Sequence, residues 1–415
     1  MKKADIQYDV GGILREHWTW IDATFNTHQK RMLHALSVCR TAALGGHVDE
    51  CTDCGHIRIS YNSCRNRNCP KCQGINREKW IRQREAELLP VPYFHVVFTL
   101  PDVLNGLCLA HPNLMYKLLF DTAWQTVKTF GQDPKHLGAL PGMTAVLHTW
   151  GQTMSLHPHL HCIVPGGGIT PKGQWKNARA KGKFLFPVKA MSSVFRAKFV
   201  AALRKTAKAQ NIDIEPIVFK QLFQKRWVVY AKRPFGGPKQ VVEYLGRYTH
   251  KIAISNRRIT AVTDTHVSFS YKDYRKNGEK KTMTLPVKEF IRRFAMHILP
   301  HKFHRMRHYG LLGSRYKKKY LAQARKSLGV GEMPCIQPLT WEEIAREKLQ
   351  YDPPNLSGVP TAHNANRSNP HPSTPHKTTT CATQPRFYGI NPTLKMPVCG
   401  RAATALPILK KIHPK

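Results

Sequence analysis

The chain has 415 residues, of which 41% are hydrophobic, so it is long enough for two or three domains and can build a substantial core. Lysine and arginine number 65 against 25 aspartate and glutamate residues, which gives a formal net charge of +40. A basic excess of this size favours nucleic acid as the partner over an ordinary solvated surface. No apolar run of about 18 residues predicts a membrane span, and the first residues lack a secretory signal, so we expect a cytoplasmic protein without a membrane partner.

The spacing of apolar residues predicts helices mixed with strands along the chain. In chain order it predicts two short helices (12–44), a basic helix (74–90), a buried strand (93–101), a helix (103–130), two strands (144–152 and 159–164), an amphipathic helix (194–210), a strand (226–235), a helix (240–253), a hairpin (258–286) and a last helix (286–299). Asn277-Gly278 marks the turn of the hairpin. This arrangement predicts an α+β fold with a mostly antiparallel sheet.

A cluster of cysteines between the first helices and the basic helix predicts a metal site. Two pairs, Cys51-x2-Cys54 and Cys69-x2-Cys72, are separated by 14 residues and supply the four thiolates that tetrahedral Zn²⁺ prefers. A long chain without an export signal favours metal binding over disulfides. Four protein ligands would make the site structural. Alternative ligands in the same segment are Cys64, His47 and His56.

A second motif, SLHPHLHCIVPGGG at residues 155–168, carries histidines at alternate positions. In a strand, His159 and His161 project from the same face. Two neutral imidazoles at this spacing can hold a divalent ion and leave positions open for phosphate oxygens and water. An ordinary surface or core pair is the alternative for such a motif taken alone. The candidates for a third metal ligand, in falling order, are His157, Gln152 and His250.

A pair of tyrosines follows in EYLGRYTHK, where Tyr244 and Tyr248 share one face of the helix predicted over 240–253. The alternative is an aromatic ridge packed into the core. A phenol has a pKa near about 10 and becomes a nucleophile only when its proton is accepted or its oxyanion is stabilised. Neighbouring cations and a metal-polarised phosphate would do both. Attack on DNA would give a phosphotyrosyl bond and a free 3′-hydroxyl, from which the strand can be rejoined without an external energy source.

Four stretches together resemble the rolling-circle, two-tyrosine HUH transposases of the insertion-sequence-ninety-one type. They are CRNRNCPKCQ, HPHLHCIVPGGG, YLGRYTHKIAISNRRI and FIRRFAMHILPHKFHRMRHYGLLGS, in consistent order between roughly residues 10 and 330. The resemblance implies a ferredoxin-like antiparallel sheet, with His159 and His161 binding Mg²⁺ or Mn²⁺ and Tyr244 and Tyr248 as paired nucleophiles. It also implies nicking and joining of single-stranded DNA through a 5′-phosphotyrosine, in a protein associated with the nucleoid.

The resemblance implies an N-terminal helical and zinc-binding domain (1–90) and an HUH nuclease domain (91–300). The mixture of basic and aromatic residues that follows predicts a DNA-binding extension (301–351), and the composition rich in Pro, Asn, Ser and Thr predicts a disordered low-complexity tail (352–415). Two departures from the family pattern stand out. Asn68 occupies a position where the family usually carries histidine, and the isolated Cys381 and Cys399 do not support a second zinc knuckle.

Two other functions compete with a single-strand transposase. A non-catalytic DNA-binding protein with a zinc module would share the charge and the cysteines, but it would leave the histidine and tyrosine motifs unexplained. A transposase that holds two metals with three carboxylates ranks last, because only 25 acidic residues are present and none forms an evident cluster.

Overall fold

The structure is a computed structural model, and it describes residues 8–50, 57–179, 185–232, 240–241, 246, 251–332, 340, 343–344 and 346–347. The helices of the described residues are α1 (Val10–Glu16), α2 (Trp18–Thr24), α3 (Thr27–Ser37), α4 (Gln73–Ala86), α5 (Asn105–Ala110), α6 (Pro112–Gln132), α7 (Val188–Ala209), α8 (Pro216–Gln224), α9 (Val287–Ala295) and α10 (Lys317–Ser327). The strands are β1 (Gly46–Glu50), β2 (Ile57–Tyr61), β3 (Tyr93–Thr99), β4 (Leu140–Trp150), β5 (Leu156–Pro165), β6 (Gly167–Ile169), β7 (Trp175–Asn177), β8 (Val229–Lys232), β9 (Ile259–Val262), β10 (His266–Asp273), β11 (Glu279–Pro286) and β12 (Met306–Gly310).

The largest sheet has the strand order β7-β6-β4-β5-β3-β8, and β12 also pairs with β4. Every pairing recorded in it is antiparallel, which confirms the predicted α+β class with an antiparallel sheet. The strands predicted over 93–101, 144–152 and 159–164 are β3, β4 and β5. β12 comes from the segment beyond residue 300, so this part of the chain completes the sheet.

The two faces of the sheet differ in chemistry because successive side chains of a strand point to opposite sides. One face is apolar and forms the main core with α6 and α7; its buried side chains include Val96, Phe98, Leu147 and Leu160 from the strands and Phe120, Val127, Phe195 and Phe199 from the helices. The opposite face carries histidines of β3, β4 and β5, which are described below.

The N-terminal segment forms three helices where the sequence predicts two over 12–44. The break between α2 and α3 has a local cause, since the Asn26 side chain accepts a hydrogen bond from the Gln29 backbone and the Gln29 side chain accepts one from the Asn26 backbone. This capping box starts α3 as a separate helix. These helices pack with the sheet β9-β10-β11 and with α9 in a second core that includes Leu33, Phe269 and Phe290.

Most of the other predicted elements are confirmed with shifted ends. The hairpin is confirmed, but Asp273 pairs with Glu279, so its loop has five residues that start with a 3-10 turn (Tyr274–Lys276) and end with Asn277 and Gly278, whose φ angles are 50° and 80°. The helix predicted over 103–130 is interrupted, because α5 ends before His111 and Pro112 starts α6. The helix predicted over 240–253 and the tail beyond 352 lie largely outside the described residues.

Residues 40–62 belong to a second compact unit of the chain and contain the antiparallel hairpin β1–β2. Its strands present Val48, Ile57 and Ile59 to solvent. Cys51, Cys54 and His56 lie between β1 and β2 in sequence and outside the described residues.

The loop between β4 and β5 is held in place by side chains near α9. Arg293 donates a hydrogen bond to the Thr153 carbonyl at 3.1 Å, and His297 contacts the Met154 carbonyl at 3.0 Å. Glu289 in turn binds both Arg292 and Arg293, with N···O distances of 2.6 and 2.7 Å. The loop that leads into the histidine strand therefore has a fixed conformation.

We expect Glu289→Gln to lower the free energy of unfolding by about 0.5–1 kcal/mol at neutral pH, because the ion pairs are partly exposed and screened. Arg292 and then Arg293 hold the pKa of Glu289 at about 2, below its ordinary 4.5. A depressed pKa of this kind stabilises the folded state above the ordinary value, and the benefit is lost as the pH falls through about 2. The free energies of unfolding of wild type and variant, measured with denaturant, should therefore converge as the pH falls. The exposed Glu332→Gln is the control, and a wild-type advantage that grows toward low pH would contradict this account.

Candidate active site

Three histidines converge on the polar face of the central sheet. His148 of β4 lies directly opposite His159 of β5 in the strand register, and His161 lies two residues further along β5. One nitrogen from each ring belongs to a set in which all atoms lie within 4.8 Å of one another. The Nε2 atoms of His159 and His161 are 3.2 Å apart. Two nitrogens bound to one ion at about 2.0–2.1 Å lie roughly 2.9–3.4 Å apart for ligand angles of about 90–109°, so the spacing fits a shared metal ion.

Hydrogen bonds at the far side of each ring fix which nitrogen faces the cluster. The Nδ1 atom of His159 lies 2.6 Å from the His157 carbonyl, and because a carbonyl only accepts, Nδ1 donates and Nε2 keeps its lone pair. The Nδ1 atom of His161 lies 2.8 Å from Nε2 of the buried His95. When Nδ1 of His161 donates this hydrogen bond, its Nε2 lone pair also faces the cluster. In that tautomer the two Nε2 lone pairs face each other, an arrangement that a bound metal cation would stabilise.

Burial keeps His159 and His161 neutral. It lowers the pKa of His159 to about 4 and places the pKa of His161 well below its ordinary value, with neighbouring histidines and the charge of Lys251 contributing. A neutral ring is the form that binds a metal. The site is therefore ready to accept a cation without first losing protons.

The third member of the cluster is His148, which the sequence analysis did not name. Of the predicted third ligands, His157 is exposed and contributes its carbonyl to His159, and the Gln152 carbonyl accepts a hydrogen bond from Arg258. His250 lies outside the described residues. The signal for His148 was present, since it is the polar residue in the apolar strand TAVLHTW, but its partner strand and register are not visible in local sequence.

Positive charge surrounds the histidines. The pKa of Lys251 is lowered by burial and by the neighbouring Arg258 and Lys272, and its own charge acts on both His159 and His161. A group of cations at a potential metal site is suited to an anionic ligand such as a phosphate. Tyr244 and Tyr248 lie outside the described residues, so their place relative to this cluster stays a prediction.

A second cluster gathers four thiols from separate parts of the N-terminal region. Cys39 follows α3, Cys64 follows β2, and Cys69 and Cys72 flank the turn before α4. The Sγ atoms are 3.4 Å apart for Cys39 and Cys72, 3.5 Å for Cys39 and Cys69, and 3.7 Å for Cys64 and Cys72. These separations exclude disulfides, whose S–S bond is about 2.05 Å. They are close to the ~3.8 Å edge of a tetrahedron with Zn–S bonds of about 2.3 Å, so the four thiols fit structural zinc.

This set differs in part from the set predicted by spacing. Cys69 and Cys72 are common to both, and Cys64 was an alternative ligand in the sequence analysis. Cys39 was missed because it lies 25 residues before Cys64 and has no paired cysteine beside it. Cys51 and Cys54 lie outside the described residues, and their role as ligands stays a prediction. Four thiols already fill a tetrahedral zinc, so this cluster needs no further ligand.

Comparison with known proteins identifies the family to which the chain belongs. A family described as "Transposase zinc-binding domain" matches residues 13–100, and one described as "Putative transposase" matches residues 142–319. The curated "Putative transposase y4qJ" of Sinorhizobium fredii (strain NBRC 101917 / NGR234) is 47% identical over 74% of this chain and 80% of its own length. The "Transposase for insertion sequence element IS801" of Pseudomonas savastanoi pv. phaseolicola is 26% identical over 77% of this chain and 78% of its own. No solved structure matches the chain.

A relative of this identity over four fifths of its length shows that the protein is a transposase. The chain belongs to the transposase family of the insertion-sequence-ninety-one type, with a zinc-binding domain in its N-terminal part. Among the described residues, no helix is both long and apolar enough to cross a membrane.

We expect about one zinc per purified chain, and we expect Cys39→Ser to lose most of it, because three thiolates do not complete a closed tetrahedral site. Elemental analysis of the dialysed protein measures this. The matched control is Cys108→Ser, which changes a buried cysteine of the main core and should keep the metal. The double variant Cys51→Ser with Cys54→Ser tests the ligand set predicted by spacing. If the double variant loses its zinc while Cys39→Ser keeps it, Cys51 and Cys54 are ligands and Cys39 is not.

Proposed function

We propose that this transposase nicks and rejoins single-stranded DNA at the ends of its element through 5′-phosphotyrosine intermediates, as in rolling-circle transposition. The observation that carries the proposal is the convergence of His148, His159 and His161 on the polar face of the sheet, where burial keeps His159 and His161 neutral. A structural protein has no need of three imidazoles aimed at one point. The protein would bind the DNA of its element at the nucleoid, in the cytoplasm.

The donor set favours one of the two expected ions. Three imidazole nitrogens suit a transition metal better than Mg²⁺, which prefers oxygen ligands, so Mn²⁺ fits the site better. Bound there, the ion would polarise the phosphate and neutralise the charge that develops on its oxygens. His148, His159 and His161 would hold it on one side, and the remaining positions would be open to substrate and water.

Chain connectivity supports the assignment of Tyr244 and Tyr248 as nucleophiles. Lys251 follows Tyr248 by three positions, so their Cα atoms lie within about 11 Å in any conformation. The charge of Lys251 acts on His159 and His161. Gly246, between the two tyrosines in sequence, approaches α4 so closely that an added Cβ would overlap the Ile81 side chain. Gly246 and Lys251, the described residues nearest to Tyr248 in sequence, thus contact α4 and Arg305, respectively.

The proposed reaction conserves the energy of the cleaved bond. The phenol oxygen of one tyrosine attacks the scissile phosphorus, and the bond from phosphorus to the 3′ oxygen breaks. The 5′ end of the DNA becomes a phosphotyrosine, and the other end leaves as a free 3′-hydroxyl. The positive charge of Lys251 would stabilise the deprotonated phenol and would also attract the phosphate. A later 3′-hydroxyl reverses the step and releases the tyrosine.

We expect Tyr244→Phe with Tyr248→Phe to abolish the covalent protein–DNA adduct, by at least about a thousandfold in rate, because phenylalanine cannot attack phosphorus. The measurement is a denaturing gel after incubation of single-stranded element-end DNA with the protein and Mn²⁺. Tyr274→Phe changes a tyrosine that is 71% exposed on a turn and should form the adduct normally. An adduct of wild-type yield from the double variant would overturn the nucleophile assignment.

The same assay tests the histidines. We expect His159→Ala and His161→Ala to lose the adduct while the protein still binds DNA, because removing a ligand removes the metal and not the basic surface. The exposed His266→Ala of β10 is the control and should behave as wild type. A full adduct yield from both site variants would instead favour a non-catalytic DNA-binding protein with a zinc module.

We expect His95 to orient His161 as a hydrogen-bond partner. Replacement by leucine should weaken Mn²⁺ binding by about 10–100-fold, since partners of metal ligands contribute on this scale. His95→Gln keeps an acceptor oxygen and should stay within a few-fold of wild type. Electron paramagnetic resonance of free and bound Mn²⁺ measures both. His308→Leu, on the same face and hydrogen-bonded to Thr144 at 2.9 Å, is the control. Equal losses in the leucine and glutamine variants would show that His95 only fills space.

A further inference from the structure

A cavity of about 360 Å³ lies beside the thiol cluster and is rich in arginine. Its polar lining comes from the loop between Cys64 and Cys69, from the start of α4 and from the segment before β12. The residues are Arg65, Arg67, Gln73, Asn76, His304 and Arg305. Among the described residues that line the cavity none is acidic and three are arginines.

The protein scaffold holds the guanidinium groups in place. Arg67 donates hydrogen bonds to the carbonyls of Phe303, at 2.6 Å, and Pro300, at 3.4 Å. Arg305 donates to the Lys251 carbonyl at 3.1 Å. Carbonyl oxygens orient the Arg67 guanidinium without neutralising its charge.

The like charges at this cavity cost free energy in the free protein. Burial and the neighbouring Arg67 lower the pKa of Arg305 to about 10, and burial lowers the pKa of Arg67. Both groups are still protonated at neutral pH. Two partly buried cations in proximity repel each other, and an anion between them would offset that repulsion.

The start of α4 adds polar side chains to the cavity. The helix spans 14 residues from Gln73 to Ala86, and Gln73 and Asn76 of its first turn line the cavity beside the arginines. Cys72, which precedes the helix, belongs to the thiol cluster, and four thiolates around Zn²⁺ carry a net negative charge. The positive charge at the cavity therefore comes from its arginines.

The cavity is connected to the histidine site through the sheet. The Arg305 carbonyl accepts a hydrogen bond from the Leu147 backbone at 2.9 Å, and Leu147 precedes His148 in β4. Arg305 also contacts the backbone of Lys251, whose charge acts on His159 and His161. Arg305 thus contacts both the strand that carries His148 and the segment that carries Lys251.

We propose that the cavity formed by Arg65, Arg67, Arg305 and the start of α4 is a phosphodiester-binding site for the DNA strand that enters the histidine site. The identity of that strand rests on the proposed function, whereas the binding of a nucleic-acid phosphate does not. The site would position DNA by its backbone and would carry no sequence information.

Salt-dependent binding of a single-stranded oligonucleotide tests the proposal. The protein is zinc-loaded, carries Tyr244→Phe with Tyr248→Phe, and is studied without added divalent metal, so no covalent step contributes. For single-stranded DNA, each phosphate that the protein no longer neutralises lowers the slope of log K against log salt by about 0.7. We expect Arg65→Asn and Arg67→Gln each to lower it by that amount and to weaken binding several-fold.

The variants are chosen so that misfolding cannot decide the result. Arg65 is exposed and has a φ of 51°, a backbone conformation that asparagine tolerates, so Arg65→Asn should leave the fold intact. The matched control is Arg196→Gln, which removes a guanidinium that donates to the Phe223 carbonyl at 3.1 Å outside the cavity. Its slope should equal that of the parent protein.

Wild-type slopes and affinities in folded Arg65→Asn and Arg67→Gln would overturn the proposal. So would an equal fall in Arg196→Gln, because it would show that any loss of positive charge has the same effect. Neither result depends on adduct formation. If no adduct forms but Arg65→Asn and Arg67→Gln still lower the slope, the nucleophile or metal assignment is wrong and the phosphate site stands.

Discussion

The register between β4 and β5 is the constraint on which the candidate active site depends. His148 opposes His159 in this register, and the side chains next to them in sequence, Leu147 and Leu160, are fully buried in the main core. Because side chains alternate across a strand, a slip of one residue would bring imidazoles into the core and leucines to the site. Burial of the apolar face therefore fixes the polar face as well. The same packing that stabilises the sheet assembles three metal-ligating groups from two strands.

The site also depends on charge that the fold brings together. Burial lowers the pKa of His159 and His161 and so keeps them neutral, while Lys251 adds a positive charge beside them. Neutral imidazoles bind a cation, and the cation and Lys251 together suit a phosphate. Part of the basic excess, namely Lys251, Arg258 and Lys272, thus lies near the site where an anionic substrate would be bound. Local geometry and overall charge point to the same class of substrate.

Sequence reasoning succeeded where the information is local. The histidine strand, the hairpin that contains Asn277-Gly278 and the pair Cys69 and Cys72 depend on periodicity or on short spacing, and the structure has both the strand and the hairpin and brings the two thiols into one cluster. It missed His148 and Cys39 because their partners are distant in sequence and are brought near by strand register or by the end of a helix. The division of 12–44 into three helices required a capping interaction between two side chains. Nothing in hydrophobic periodicity reports such an interaction.

The like charges that lower the stability of the free protein lie where we propose that DNA binds. Arg67 beside Arg305, and Lys251 beside Arg258 and Lys272, place like charges near one another where burial already disfavours charge. A sequence selected for stability alone would separate these groups or would replace some of them with neutral residues. An anionic ligand that binds between them would offset the repulsion. A phosphodiester strand does this at every nucleotide, so one extended substrate can stabilise both the histidine site and the arginine cavity.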